Sequence, residues 1–312
     1  MEIVEVNDII YGQSFAQPSQ VFNSAAFNAL NVYKCEQVHY LLFKDSKVRL
    51  GLILGVREGK LVSPFSAPFG GFEATSADVR LQTIDLALEA LTAWATDKKY
   101  IGIRIVQPPF IYGSDLLNKM HNCLYRNGFV SQNIELNYQF ETSKFTEDYA
   151  MKVLWYNARK NYKRSLQAGL EFVALAADEG QNAYEVIALN RSQRGFPLRM
   201  TWAQVQETMQ VVPVDFFLVK KETDDIAAAV VFHVADGIVQ VVYWGDLPAY
   251  AECKTMNFLS YHLFEYYQKQ GIRIIDIGPS TENSIPNHGL CEFKESIGCS
   301  IGIKTEFYKS LS

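Results

Sequence analysis

Short apolar runs separated by turn residues dominate the first half of the chain and predict a sheet. Two of these runs are joined by Asp45-Ser46, a pair that suits a tight hairpin, and a third run follows. The three predicted strands cover residues 38–44, 48–57 and 60–65. An apolar spacing of three and four then predicts an amphipathic helix that begins near Thr75 or Ser76, with Asp78 in its first turn. The apolar stripe of this helix is Leu81, Ile84, Leu88, Leu91 and Ala95.

The rest of the chain alternates between the same two periods. A buried strand, a helix and an alternating strand complete the first half, at 101–106, 115–127 and 134–140. The second half begins with predicted helices at 147–168, 183–192 and 201–209, followed by strands at 216–220, 226–234 and 238–244. A helix at 254–270, a strand at 272–277, a short helix at 289–297 and a strand at 300–308 end the chain.

The two halves repeat each other. Ile101-Gly102-Ile103-Arg104-Ile105 in the first half is similar to Gly271-Ile272-Arg273-Ile274-Ile275 in the second. A loop with proline, a helix, a glycine and an alternating strand follow each segment at nearly the same separation. Helices and strands are common enough to match by chance one at a time, but not as a series at one separation. The pattern therefore indicates a duplicated β-β-β-α-β-α-β unit with its boundary near Lys144.

Composition and charge mainly exclude classes of protein. The 312 residues suit two domains, and 48% hydrophobic with 20% charged residues is ordinary for a globular protein. A net charge of −5 without a basic block disfavours a dedicated nucleic-acid binder. The N-terminus is acidic, which predicts no signal peptide, and the longest apolar run, 226–234, is far below the ~18 residues of a membrane-spanning helix. Five cysteines without CxxC spacing favour free thiols in a reducing compartment, so we expect a cytoplasmic protein.

Two segments of the second half resemble a known family. Residues 155–171, WYNARKNYKRSLQAGLE, combine a basic helix with a glycine and the start of a strand. Asp276-Ile277-Gly278 is followed at 289–298 by GLCEFKESIG. Together they resemble the FemABX family, whose C-terminal stretch reads D-x-G and then GL-x-x-FK-x-x-x-G. The first half is similar to that family in element order only.

The resemblance implies an α/β (α+β) fold of two tandem GNAT-like domains, 1–144 and 145–312. Each would be a mixed, mostly antiparallel sheet flanked by helices. It also implies an N-acyltransferase that moves an acyl group, in the first instance acetyl, from acyl-CoA to an amine of a small molecule or a cell-envelope precursor. The alternative donor is aminoacyl-tRNA, as in FemABX proteins. The acidic balance and the lack of sustained heptads for a coiled-coil arm disfavour tRNA, whereas the C-terminal motif favours it. A non-catalytic binding module on the same scaffold is the third hypothesis.

Two loops bear on the donor. The loop 245–253 has one glycine and two acids, so it is poorly suited to the CoA pyrophosphate that simpler GNAT enzymes bind at this position. The corresponding loop of the first half, 67–71, is uncharged and leads towards a helix N-terminus. We therefore assign cofactor binding to Gly70 and Gly71, with a plain glycine turn as the alternative.

Acyl transfer to an amine needs a base, donors for the oxyanion and a proton for the leaving group. Asp276 follows a predicted buried strand, where the central strands of GNAT-like folds separate, and is assigned as base or amine anchor. The backbone N–H groups of Tyr243 and Trp244, at the end of the adjacent strand, would hold the acyl oxygen. Tyr308 would protonate the leaving group. Turn capping by Asp276 and packing by the three aromatic residues are the alternatives.

Substrate binding is assigned to a basic helix face and to the C-terminal motif. Arg159 and Lys163 are four residues apart and share a face that could hold a carboxylate or phosphate. Lys294 follows Phe293 in the family's Phe-Lys position and could hold a phosphate. Solvated lysine and arginine side chains are the alternative in both places. The residues assigned to substrate binding are Lys294, Phe293, Arg159, Lys163, Ser280 and Asn283. The five histidines have no metal-ligand spacing, so no metal is predicted.

Overall fold

The computed structural model describes residues 1–76 and 78–311, which form two compact units. The first unit contains Met1–Leu136 and Gly302–Ser312, and the second contains Asn137–Ile301. These units do not coincide with the predicted halves, 1–144 and 145–312, because the last strand of each half pairs within the other unit. Whether the halves are duplicated domains stays a prediction.

The first unit combines a sheet of strands with helices. Its strands are β1 (Glu2–Val6), β2 (Val38–Lys44), β3 (Val48–Arg57), β4 (Lys60–Ser63), β5 (Glu73–Ala74), β6 (Gly102–Val106), the beginning of β7 (Val130–Glu141) and, from Gly302 onwards, β15 (Ser300–Ser310). Its helices are α1 (Asp8–Ser14), α2 (Ala25–Ala29), α3 (Leu81–Asp97) and α4 (Ser114–Arg126).

The second unit contains the remaining elements. Its helices are α5 (Tyr149–Lys152), α6 (Tyr156–Ser165), α7 (Gly180–Arg194), α8 (Trp202–Met209), α9 (Thr255–Lys269) and α10 (His288–Ser296). Its strands are β8 (Leu170–Leu175), β9 (Val214–Lys221), β10 (Asp224–Ala235), β11 (Ile238–Asp246), β12 (Ile274–Pro279), β13 (Thr281–Glu282), β14 (Ile285–Pro286) and the beginning of β15 (Ser300–Ser310).

The sheet of the first unit has the order β1-β2-β3-β4-β6-β15, with β5 paired to β3. β4 and β6 are parallel, and the other neighbours are antiparallel. Ile84, Leu88 and Leu91 of α3 are buried in the core of this unit, as the apolar stripe predicts. Leu81, the first residue of α3, is instead exposed.

The sheet of the second unit has the order β7-β12-β11-β10-β9-β8. β11 and β12 are its parallel pair, and the other neighbours are antiparallel. Helix α9 buries Leu259 and Leu263 in the same core as Val239 and Ile275 of the sheet. The sheet is also held by Phe140, whose ring stacks on Phe264 with centroids 3.9 Å apart.

The predicted order of elements occurs twice along the chain. It runs β2-β3-β4-α3-β6-α4-β7 and then β9-β10-β11-α9-β12-α10-β15. In both series the third strand is parallel to the fourth, which is β4 with β6 in the first series and β11 with β12 in the second. The fold class, a mixed and mostly antiparallel sheet flanked by helices, is confirmed.

Two predicted boundaries are wrong for local reasons, and the elements before the first predicted strand were not predicted. The fold opens with β1, α1 and α2, ahead of the first predicted strand. Helix α3 begins at Leu81 and not near Thr75, because the Ser76 hydroxyl bonds the Asp78 carboxylate in a turn that precedes the helix. The helix predicted at 147–168 is two helices, because Trp155 is extended and donates its N–H to the Ser296 carbonyl.

Candidate functional site

The two parallel strands of the second unit separate part of the way along their length. β11 pairs with β12 only over Ile238–Gln240, opposite Ile274–Asp276. Both strands continue beyond this point, β11 to Asp246 and β12 to Pro279. No pairing joins them past Gln240 and Asp276 in the described part of the chain. The separation leaves the β12-facing edge of β11 without a partner strand, as the sequence analysis expects for this position.

Asp276 lies at the point of separation and is completely buried. Its Oδ1 accepts hydrogen bonds from Asn137 Nδ2 at 2.8 Å and from the Gly278 N–H at 2.9 Å. Its Oδ2 accepts one from Gln240 Nε2 at 2.7 Å. A buried carboxylate needs such donors, since burial without them costs several kcal/mol. Asp276 therefore fastens β7, β11 and β12 together where the gap begins.

A row of polar side chains crosses the sheet at Asp276. In the strand registers Gln139 of β7 and Gln240 of β11 lie directly opposite Asp276, one on each side. All three side chains are buried, and the Oε1 atoms of both glutamines have no partner among the described residues. The neighbouring row, Phe140, Ile275 and Val239, faces the apolar core. Two buried acceptors without donors mark this row as a place where a donor group would be stabilised.

The end of β12 is bulged. The pairing of β12 with β7 shifts register between Asp276 and Gly278, and Gly278 has a φ of +71°. That left-handed conformation favours glycine, which explains the Asp-x-Gly sequence. The bulge turns the carbonyl groups of Ile277, Gly278 and Pro279 towards helix α10.

Lys294 of α10 occupies the space beneath this bulge and is 2% exposed. Its Nζ donates to the carbonyls of Ile277 at 3.0 Å, Gly278 at 2.9 Å and Pro279 at 3.1 Å. Burial lowers the pKa of Lys294 to about 8, against the opposing attraction of Asp276. An ammonium has three N–H groups, and here all of them are donated to the strand. Lys294 is thus not the solvated lysine of the alternative hypothesis, and its predicted contact with a phosphate stays a prediction.

Three predicted aromatic residues belong to the second unit, and a fourth belongs to the first unit. The rings of Trp244 and Phe293 meet edge to face, with centroids 6.0 Å apart. Tyr243 points to the other side of β11, is buried, and has its pKa raised by that burial. Tyr308 belongs to the first unit, where it lies on β15 opposite Arg104 of β6. The structure therefore brings Trp244 and Phe293 together with each other, but assigns Tyr308 to the other unit.

Arg191 of α7 is a residue of this region that sequence reasoning missed. Its guanidinium lies 5.8 Å from the centroid of the Tyr243 ring, and its Nε has no partner among the described residues. Burial lowers the pKa of Arg191, and the nearby Arg199 adds repulsion. No sequence motif indicates Arg191, because only the fold brings it next to β11.

The corresponding place in the first unit is filled by its own chain. β4 pairs with β6 up to Ser63 opposite Ile105, and the Gly70 N–H then donates to the carbonyl of the next β6 residue, Val106, at 2.9 Å. The Gly71 N–H donates to Ser63 Oγ at 3.0 Å. Both amides assigned to cofactor binding therefore have partners within the protein, and the assignment itself stays a prediction.

A cavity of about 520 Å³ lies beside this loop but is not lined by Gly70 or Gly71. Glu73 lines it as a buried carboxyl group that accepts hydrogen bonds from Ser19 and Asn23. Burial raises the pKa of Glu73. A phosphate in this cavity would therefore meet a buried acidic group at its wall.

The other predicted substrate-binding residues lie near the gap or on a helix surface. Ser280 follows β12 and is buried, and its Oγ has no partner among the described residues. Asn283 is exposed at the turn between β13 and β14, with a φ of +52°. Arg159 and Lys163 are on α6, as predicted, where Arg159 is half-buried and Lys163 is exposed.

Asn137 and Gln240 are the partners of Asp276 that the sequence did not indicate. The alternation in β7 predicts that Asn137 and Gln139 face solvent, yet both are buried. The only sequence signal for Gln240 is a single polar residue inside the apolar run IVQVVYW. Within the described residues no cluster of three or more His, Cys, Asp or Glu side chains is arranged to hold a metal ion.

Comparison with known proteins identifies the fold. The sequence matches no family model and no curated protein. Its structure is similar to that of FemX, with 12% identity, a TM-score of 0.68, and coverage of 99% of this chain and 97% of that one. It is also similar to L-PGS from Bacillus licheniformis, with 13% identity, a TM-score of 0.63, and coverage of 98% and 92%.

A tandem GNAT protein from the clavulanic acid biosynthesis pathway has the same fold. Its identity is 12%, its TM-score is 0.57, and the alignment covers 100% of this chain and 98% of that one. At such identities these likenesses show the fold alone. The predicted resemblance to the FemABX and tandem GNAT fold is therefore confirmed over nearly the whole chain.

Proposed function

We propose that this chain, which shares the fold of FemX and of a tandem GNAT protein, transfers an acyl or aminoacyl group to an amine. The observation that carries the proposal is the separation of β11 and β12 at the buried Asp276. The first unit has its own loop at the corresponding place, so the second unit is the one proposed to be catalytic.

In the proposed chemistry β12 supplies the base and β11 supplies the donors for the oxyanion. An alkylamine titrates near pH 10.4 and must lose a proton before it attacks. Asp276 is proposed as base or amine anchor, with the unpartnered Gln139 and Gln240 oxygens accepting further N–H groups of the amine. Backbone N–H groups of β11 at Tyr243 and Trp244 are proposed to stabilise the oxyanion. The leaving-group proton, assigned to Tyr308 from the sequence, has no proposed source within the second unit, because Tyr308 belongs to the first unit.

The donor is proposed to be acyl-CoA, with acetyl-CoA as its simplest form. The likeness to a tandem GNAT protein supports this choice, whereas the likeness to FemX supports aminoacyl-tRNA as the alternative. The acceptor is proposed to be an amine of a small molecule or a cell-envelope precursor, held by Phe293, Ser280, Asn283, Arg159 and Lys163. Lys294, also assigned to the substrate from the sequence, is proposed to act only through the β12 carbonyls that it holds.

The proposed compartment is the cytoplasm. All five cysteines are free thiols, which persist where the surroundings are reducing. Among the described residues, no helix combines the length and the hydropathy needed to cross a membrane.

Calorimetric titration with acetyl-CoA at low salt, and with a longer acyl-CoA for comparison, tests the donor. Saturable micromolar binding supports acyl-CoA. No binding of either compound, at concentrations where transferases saturate, removes acyl-CoA and directs the same titration to aminoacyl-tRNA. Binding of tRNA should then weaken with salt, because phosphate contacts release counterions.

Asp276→Asn separates an enzyme from a non-catalytic binding module. We expect loss of transfer with donor binding retained, since the substitution removes a charge but keeps the shape of the side chain. Asp215→Asn is the matched control, because Asp215 also accepts hydrogen bonds, from His233 at 2.7 Å and Tyr267 at 2.8 Å, but lies on β9. Equal transfer by both variants would contradict the assignment of Asp276.

A further inference from the structure

Helix α6 has two chemically different faces. Its inner face buries Ala158 and Ser165, and the Tyr162 ring stacks on Tyr261 with centroids 4.0 Å apart. Its outer face carries Tyr156, Lys160 and Lys163, which are exposed. Their spacing of four and three places them on one side of the helix. The packing against α9 thus fixes which side chains of α6 remain in contact with solvent.

Large apolar side chains are exposed where α6 begins. Trp155 is 49% exposed, Tyr156 is 74% exposed and Met151 of the preceding α5 is 58% exposed. Arg159 Nη1 lies 3.7 Å from Met151 Sδ, so Met151 and α6 form one surface. Single exposed apolar residues are normal on proteins, whereas apolar residues exposed side by side are typical of an interaction surface. Met151, Trp155, Tyr156, Lys160 and Lys163 are called the outer α6 face below.

The outer α6 face is also positively charged. The helix YNARKNYKRS contains four basic residues and no acid, in a chain with a net charge of −5. Lys152 and Arg164 are paired with Asp148 and Glu252, each at 2.6 Å. Lys160 and Lys163, by contrast, have no carboxylate within ion-pair distance among the described residues. Their charge is therefore available to an external anion.

We infer that the outer α6 face docks on the surface of an anionic phospholipid bilayer. Tryptophan and tyrosine favour the boundary between headgroups and acyl chains, and lysines beside them are attracted to anionic headgroups. A nucleic acid would use the same lysines and could stack on Trp155, but it gives no reason to expose the thioether of Met151 beside them. A bilayer has an apolar interior beneath its anionic headgroups. The apolar side chains of the outer α6 face suit that interior, and its lysines suit the headgroups.

The contact is peripheral, and it shares Lys163 with the residues proposed to hold the acceptor. Helix α6 has only ten residues and keeps its inner face packed on the protein, so the outer α6 face can enter only the headgroup region. Each lysine near such a surface strengthens binding about five-fold, so two lysines with three apolar side chains give reversible attachment. The inference stands whether or not the proposed transferase activity is found.

Co-sedimentation of the full chain with vesicles tests the charge. We expect binding to vesicles of phosphatidylcholine with phosphatidylglycerol, little binding to phosphatidylcholine alone, and weakening by salt. Lys160→Glu combined with Lys163→Glu should weaken binding at least ten-fold, since about five-fold is lost for each lysine. Lys44→Glu with Lys47→Glu changes the net charge equally at another exposed site and should have no comparable effect.

Tryptophan fluorescence and two tyrosine variants test whether the apolar side chains of the outer α6 face enter the bilayer. Vesicles should shift the tryptophan emission to shorter wavelength in the wild type and not in Trp155→Phe. Tyr156→Ser should weaken binding, whereas Tyr125→Ser should not, although Tyr125 is similarly exposed at 72%. The inference is overturned if phosphatidylglycerol gives no gain over phosphatidylcholine, or if the lysine pair does not matter. It is also overturned if these lysines bind tRNA while the chain fails to bind vesicles.

Discussion

Lys294 shows what burial does to a single charged residue. Its ammonium is removed from water, and three carbonyls of the β12 bulge replace the lost hydration. The sequence assigns Lys294 to a phosphate, a role that stays a prediction. A sequence cannot distinguish a lysine that faces solvent from one that folds inwards, since its long side chain permits both.

The pKa of Lys294 predicts a pH dependence of stability. In the unfolded chain lysine titrates near pH 10.4, and in the fold the pKa of Lys294 is lowered to about 8. Between these values the unfolded chain binds more protons, so the free energy of unfolding should rise with pH across this window. Between pH 8 and 10 the free energy of unfolding of the wild type should rise by about 2 kcal/mol relative to that of Lys294→Met, as measured by urea denaturation. If the difference in free energy of unfolding between the two proteins did not change with pH, the lowered pKa of Lys294 would be contradicted.

For Asp276 the sequence indicated the position of the residue but not its hydrogen-bond partners. Its place at the end of a buried strand was predictable from the Asp-x-Gly sequence after an apolar run. Its partners Asn137 and Gln240 were not, because a polar residue in a strand is expected on the solvent side. They are buried because the strands of this sheet bring them opposite a carboxylate that needs donors.

At the scale of elements, the shape of β12 depends on its bulge. Gly278 has a φ of +71° and no atom within 4 Å of where a Cβ would stand. The cost of a side chain there is conformational and not steric. The bulge directs the three carbonyls to Lys294, so strand and helix α10 depend on this one glycine.

Gly278→Ala should lower the free energy of unfolding by about 1–2 kcal/mol, because a left-handed backbone is unfavourable for alanine. Gly289→Ala is the control, since Gly289 is helical and the nearest atom to its added Cβ would be Asn287 Oδ1 at 3.8 Å. That change should leave stability equal or slightly higher. Equal losses in both variants, seen in urea denaturation, would argue against strain at the bulge.

For the whole molecule, the last strand decides which residues form each unit. The β15 residues from Gly302 onwards belong to the first unit, where Phe307 is buried in the core. The sequence predicts this strand correctly but not its partner, because an alternating strand can pair with any free edge of similar pattern.

Phe307→Ala should therefore destabilise the first unit, although the residue follows the whole second unit in the chain. Removal of a buried phenylalanine costs about 3 kcal/mol, and the β6 amides should exchange hydrogen faster. Phe264→Ala, in the core of the second unit, is the matched variant and should instead raise exchange in β12. Faster exchange of the same amides in both variants would contradict two separate units.

The sequence by itself determined the kinds and order of the elements in the two repeated series, since hydrophobic period and glycine positions act over a few residues. It also indicated Asp276, Trp244 and Phe293, which stand at strand ends or in a short motif. The tertiary structure decided what these residues contact. Strand registers brought Asn137 and Gln240 to Asp276, and the bulge gave Lys294 its carbonyls, while the loop of the first unit used the Gly70 and Gly71 amides. Such contacts join residues far apart in the chain, and only the packed sheet specifies them.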